Sequence, residues 1–163
     1  MPDVLFAPWR YEYLVSEKSG PCIFCEAAAS ADEAASLVVF RGERVFVLLN
    51  RYPYTNGHLM VAPYEHDAWL SDSSEDTLAE LIRTVARAEK ILVETYRTDG
   101  LNVGINFGSA AGAGVADHYH VHVVPRWSGD TNFMSVAAGV RVVPAELSQT
   151  RRRLAPLFSG ETP

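Results

Sequence analysis

The sequence predicts an α+β fold: one antiparallel sheet of about five strands, one long helix and a C-terminal helix. Two observations predict it. Strand-like stretches come in runs and do not alternate with helices, which argues against a parallel sheet. One segment alone, 78–96, carries apolar residues at sustained helical spacing.

The elements follow in chain order. Residues 1–36 read as an irregular extension with a short helix over the Ala-rich 26–36. Stretches 37–40 and 44–49 are rich in Val, Phe and Leu, and Arg41-Gly42-Glu43 turns them into a hairpin. The connection 50–56 contains Pro53, and a third strand, 57–62, is stopped by Pro63. Leu78, Leu81, Ile82, Val85, Leu92 and Tyr96 fall close to one helical face. Ser73 with Asp76 reads as its capping box, and Asp99-Gly100 as its end. A fourth strand is expected at 101–107 and a glycine-rich loop at 108–114. A fifth strand is expected at about 116–124, closed by Pro125. The tail, 144–158, reads as a helix bearing Arg151, Arg152 and Arg153. The 163 residues suit a single domain: extension 1–36, catalytic core 37–127 and C-terminal segment 128–163.

Charge narrows the partners. A formal net charge of −6 argues against general nucleic-acid binding. It permits a small phosphate-bearing ligand, because backbone N–H groups hold anions even in an acidic protein. No apolar run approaches the ~20 residues that cross a bilayer. Residues 1–13, with Asp3, Trp9, Arg10 and Glu12, lack the apolar core of a signal peptide. A cytoplasmic location without membrane contact is the expectation. The only two cysteines, Cys22 and Cys25, form one C-x-x-C pair. In a reducing compartment that spacing suggests a metal site or a redox pair.

The chemistry concentrates in His118-Tyr119-His120-Val121-His122-Val123-Val124. On a strand, side chains alternate faces, so His118, His120 and His122 share one face, with Cα atoms roughly 6.5–7 Å apart. Three imidazoles in strict alternation are poorly explained by stability, since they repel when protonated. A metal centre built from the whole triad is one reading. It lacks an adjacent carboxylate, because Asp117 points to the opposite face. Covalent catalysis is the other: a neutral imidazole is a good nucleophile near pH 7, and flanking imidazoles can donate to phosphate oxygens.

The run resembles the signature of the histidine-triad family, His-x-His-x-His followed by two apolar residues. Cys22-Ile23-Phe24-Cys25, Leu49-Asn50-Arg51, Gly57-His58-Leu59-Met60-Val61, Asn106 and Val124-Pro125-Arg126-Trp127 resemble further family landmarks in the expected order. Ala7-Pro8-Trp9-Arg10 and Gly129-Asp130-Thr131-Asn132-Phe133 resemble the branch of bacterial diadenosine tetraphosphate phosphorylases and Fhit-like dinucleoside polyphosphate hydrolases. Two positions depart from the pattern: Gly114, where many members carry Gln or Ser, and Phe107, where Fhit-type enzymes carry glutamine.

The resemblance implies a HIT-like fold and a homodimer whose sheets join across a two-fold axis. It implies a hydrolase or nucleotidyl transferase that acts on the α-phosphate of a dinucleoside polyphosphate through a nucleotidyl-histidine. His120 would be the nucleophile, His122 would bond the phosphate or leaving group, and His118 would orient the neighbouring site. Asn50 would bond the ribose, and Phe46 and Leu48 would form part of the base pocket. Asn106 and the loop Gly112, Ala113, Gly114 and Val115 would line the α-phosphate. Members with the C-x-x-C pair imply a structural zinc on Cys22, Cys25, His66 and His118. No organic cofactor is implied, and a divalent cation accompanying the substrate is compatible. A phosphoramidate hydrolase of the same family and a non-catalytic nucleotide-binding module are the alternatives. His58 reads as a hydrogen-bonded support of the wall, and Trp9, Trp69 and Trp127 as packing residues.

Overall fold

Residues 20–130 and 145–160 are described by the computed structural model. A hairpin starts the sheet: β1 (Val38–Arg41) and β2 (Val45–Leu49) pair antiparallel. The N–H groups of Glu43 and Arg44 at its turn are both taken by the Glu80 carboxylate. β3 (Leu59–Pro63), β4 (Gly100–Gly104) and β5 (Val121–Arg126) complete the sheet in the order β1-β2-β3-β5-β4, antiparallel throughout. The last of the described strands therefore inserts between β3 and β4.

Alternation gives the sheet two unlike faces. Val45, Val47, Leu49, Leu59, Val61, Val121 and Val123 point to one face. There α3 (Glu75–Tyr96) and α4 (Leu147–Phe158) cover them with Leu81, Val85, Ala88, Leu92, Leu154 and Phe158. Phe46, Leu48, Met60 and Ala62 point the other way, under Phe24 and Ala27 of α1 (Ile23–Ala29). The Ala-rich stretch is two helices rather than one: α2 (Glu33–Ser36) restarts at Asp32, whose carboxylate caps the N–H groups of Ala34 and Ala35.

The structure corrects several expected boundaries. The cap of α3 is Ser74, accepting from the Thr77 N–H, because Ser73 is engaged elsewhere. The helix ends at Arg97, in the left-handed conformation, before Asp99-Gly100. Its buried stripe is Thr77, Leu81, Thr84, Val85, Ala88, Ile91 and Leu92. Ile82, one residue round from that stripe, is 65% exposed. β4 is shorter than expected, and α4 begins at Leu147; Pro144 lies outside the described residues.

The fifth strand is displaced along the chain. Its register with β3 would set Tyr119 opposite Pro63, which has no N–H to donate. Tyr119 gives its own N–H to the Asp67 carbonyl instead, and regular pairing starts only at Val121. Pro125, expected as the stop, lies inside the strand. Its carbonyl accepts from Thr55 Oγ1, so its donorless nitrogen also faces the side where β3 has ended. Among the described residues, no helix is long and apolar enough to cross a membrane.

Candidate active site

Only His122 lies within β5, paired to Met60 and Gly104; His118 and His120 lie on the unpaired approach. Alternation persists there nonetheless. Tyr119 packs into the α3-covered core, while the His120 ring packs on Phe24 at 4.4 Å and meets the His122 ring edge-on at 4.8 Å. His118 and His120 are buried.

The hydrogen bonds fix the protons on these rings. His120 Nδ1 is 3.0 Å from the His118 carbonyl, which can only accept. Nδ1 therefore carries the proton, and Nε2 carries a lone pair. Burial pushes the His120 pKa down to about 4, with the neighbouring His122 adding to the effect against the bond to the His118 carbonyl. Burial also lowers the pKa of His122. The pair is neutral at physiological pH.

His58 sets the proton on His122. Its Nδ1 accepts the Tyr54 N–H at 3.1 Å, so its own proton sits on Nε2. That Nε2 is 2.9 Å from His122 Nδ1 and donates to it. The His122 proton is thereby placed on Nε2. Gly57 makes this arrangement possible: its φ is +80°, and a Cβ there would come within 2.9 Å of the Tyr96 ring. The ring of Tyr54 lies 4.6 Å from that of His58 and 6.0 Å from that of His122.

A second cluster joins the first at His118. The ligand atoms of Cys22, Cys25, His66 and His118 all lie within 4.8 Å of one another. His118 Nδ1 is 3.4 Å from Cys22 Sγ and 3.7 Å from Cys25 Sγ, and His66 Nδ1 is 3.2 Å from Cys25 Sγ. Ligands bound at about 2.0–2.3 Å in a tetrahedron stand about 3.3–3.8 Å apart. His118 Nε2 donates to the Pro63 carbonyl at 2.9 Å, which turns the Nδ1 lone pair toward the thiols. These four residues can hold a metal ion. His118 is the only triad member among them, so the structure does not assemble the triad as a metal centre.

The remaining candidates are distributed around these clusters. Asn50 accepts the Tyr52 N–H and sets its amide nitrogen 3.5 Å from His58 Nε2. Asn106 is half-buried, two residues past the Gly104–His122 pair. Phe46 is fully buried beneath the Tyr64 ring at 5.2 Å and Leu48 is nearly so, because α1 covers this face. In the loop, the N–H groups of Gly112 and Ala113 close the turn onto the Ser109 and Gly108 carbonyls. The half-buried Gly114 follows, and Val115 packs against the apolar cluster that includes Phe24 and Phe46. Trp69 is half-exposed and stacked on Phe107, so it is no core residue; Trp127 is half-buried with its indole N–H toward the Tyr96 carbonyl. Trp9 and residues 131–133 lie outside the described residues. Sequence reading missed the part His58 plays in orienting His122; its one signal is the place of a histidine directly before β3, on the strand that pairs with β5.

Comparison with known proteins agrees with this geometry. The HIT domain family model matches residues 31–129. The chain is 42% identical over 160 residues to AP-4-A phosphorylase of Mycobacterium tuberculosis, covering 93% of this chain and 82% of that one. A Zn-bound histidine triad family protein from Mycobacterium smegmatis superposes with a TM-score of 0.64 at 32% identity, over 86% of this chain and 97% of that one. A hypothetical histidine triad nucleotide-binding protein from Sulfolobus tokodaii superposes with a TM-score of 0.65 at 26% identity, over 85% and 93%. The matched segment contains the hairpin, the long helix and all three histidines; the chain belongs to the histidine triad (HIT) family.

Proposed function

We propose that the protein is a nucleotidyl transferase that cleaves dinucleoside polyphosphates such as diadenosine tetraphosphate through a nucleotidyl-His120 intermediate. One observation carries the reading: a neutral His120 with its lone pair on Nε2 stands beside a His122 whose proton is on Nε2. The resemblance to a phosphorylase of this substrate class supports the choice of substrate. His120 Nε2 attacks the α-phosphorus. The P–N bond forms as the bond to the departing polyphosphate oxygen breaks, and that oxygen leaves with the electron pair. Throughout, Nδ1–H stays on the His118 carbonyl and stabilises the charge developing on the ring. The His122 Nε2–H donates to the phosphate or to the leaving oxygen. Inorganic phosphate or water then attacks the nucleotidyl-histidine and frees the imidazole. Asn50 binds the ribose, and Asn106 with the Gly114–Val115 end of the loop lines the phosphate.

Zinc fits Cys22, Cys25, His66 and His118, whose four donors leave no open position. When bound, it closes the N-terminal extension onto His118 and supplies stability rather than a reactive water. A homodimer fits the edges of the sheet. The β1 edge is covered by α4, whose Arg151 donates to the Val38 carbonyl. β4 has no neighbour on its outer side among the described residues. Beside it runs an apolar groove of about 380 Å³, lined by Leu78, Ile82, Val85, Val103 and Ile105 among others. A second copy that pairs β4 with β4 would bury it.

Product analysis with diadenosine tetraphosphate, with and without inorganic phosphate, tests the activity. ADP plus ATP formed only with phosphate marks a phosphorylase, and AMP plus ATP without it marks a hydrolase. No turnover of the tetraphosphate under either condition overturns the assignment. Sedimentation of Ile82→Glu tests the dimer: wild type should be dimeric and the variant monomeric.

A further inference from the structure

The sheet leaves the most demanding part of the site unsupported. Pairing with β3 ends at Val121 and with β4 at His122, so residues 118–120 lie beyond the ladder. Yet the lone pair of His120 is aimed by a bond to the carbonyl of His118, and a backbone that rotated there would lose that aim. Something outside the sheet has to hold this stretch.

Tyr119, between the two histidines, is held at both ends by bonds that lead to Asp67, one direct and one through Ser73. Its N–H donates to the main-chain carbonyl of Asp67 at 2.8 Å. Its hydroxyl, buried on the α3 side, is 2.7 Å from Ser73 Oγ. Ser73 Oγ in turn lies 3.0 Å from the Asp67 carboxylate. A carboxylate only accepts, so Ser73 spends its proton there, and the tyrosine is the donor to Ser73. The chain thus runs one way, from Tyr119 O–H to Ser73 O–H to Asp67 Oδ2. It closes a ring from the Asp67 carboxylate back to its carbonyl. This engagement also explains why Ser73 does not cap α3.

We propose that Asp67, Ser73 and Tyr119 form a hydrogen-bonded clamp that positions His120 for attack. These are positioning residues, since Tyr119 packs into the α3-covered core and its hydroxyl is spent on Ser73 there. The inference rests on the reading of His120 as nucleophile. It gives Tyr119 a function beyond filling the core: the ring packs, and the hydroxyl sets the rotation of the backbone on either side of it.

The test uses the enzyme as purified, with Tyr119→Phe, Ser73→Ala, the double variant and His120→Asn, assayed on diadenosine tetraphosphate. Tyr119→Phe keeps the ring in the core and removes one oxygen. A clamp predicts that Tyr119→Phe and Ser73→Ala each lower kcat about tenfold with KM within about twofold, and that the double variant is no worse than either single. It also predicts that the His120 Nδ1–H, observed by NMR, exchanges with solvent faster in Tyr119→Phe than in wild type, a readout independent of substrate. Unchanged kcat and unchanged exchange in Tyr119→Phe, with His120→Asn inactive, would overturn the clamp and leave the nucleophile reading intact. Full activity in His120→Asn would overturn the nucleophile reading instead.

Discussion

The two faces of the sheet are built by different physics from the same strands. Under α3 and α4, Val, Leu and Phe fill most of the space, and polar groups buried there, such as the Tyr119 hydroxyl and Thr77, are hydrogen-bonded. Opposite, beside the apolar patch around Phe24 and Phe46, a line of polar side chains from His58 to Cys22 is joined by directional bonds: Tyr54 N–H to His58, His58 to His122, His120 to the His118 carbonyl, and His118 to the Pro63 carbonyl. The first face depends on volume, which tolerates small shifts. The second depends on which nitrogen carries a proton, which tolerates none. A period-two strand lets stability and chemistry occupy the same residues' neighbours without competing for the same side chains.

Breaking each face separately should separate the two properties. The largest expected effect is on the histidine face: His120→Asn should lower turnover of diadenosine tetraphosphate by roughly a thousandfold or more. Its Tm, measured by calorimetry, should stay within about 2 °C of wild type. A Tm loss matching the loss of activity would mean that the two faces are not separable.

The cluster of Cys22, Cys25, His66 and His118 sharpens the comparison, since it lies on the chemical face while a metal held there is expected to serve stability. Cys25→Ser, or chelation of the wild-type protein, should lower the Tm by about 10 °C. Residual kcat measured well below that Tm should remain, whereas immediate and complete loss of turnover at unchanged Tm would assign the metal to the chemistry. On the opposite face, Leu92→Ala removes a fully buried side chain and should cost about 3 kcal/mol, read by urea unfolding. Its folded fraction should turn over substrate at the wild-type rate.

The smallest expected effect is a pH dependence. Burial lowers the pKa of His122, so below the unfolded value of about 6.5 the unfolded chain binds more protons than the folded one. The stability this ring contributes is present above that pH and is lost as pH falls through it. Tm should therefore decline from pH 7.5 to 5, and less steeply in His122→Asn; equal slopes would rule out this ring as a contributor.

Much of this was legible in the chain. The hairpin, the long helix and the run of three histidines are local patterns, and periodicity reads local patterns well. The placement of His118, His120 and His122 on one side held even where the strand itself did not form, because alternation needs only an extended backbone. What failed was pairing. Nothing near residue 119 in sequence reveals that Pro63 is the residue it would face, so local pattern alone starts β5 too early. Ser73 looked like a cap because serine before an acidic turn is a cap in isolation; the tyrosine hydroxyl that claims it comes 46 residues later.

The sequence by itself determined which residue types were available: a nucleophile, proton donors, two thiols, and the strand and helix periods that present them. Only the tertiary structure decided the protonation pattern and the partners. Proton positions follow from contacts such as His58 with His122 and Cys22 with His118, which join residues 64 and 96 positions apart. Such contacts exist only once the sheet has formed, because it is the sheet order that carries β5 back between β3 and β4 and brings those groups within hydrogen-bond reach.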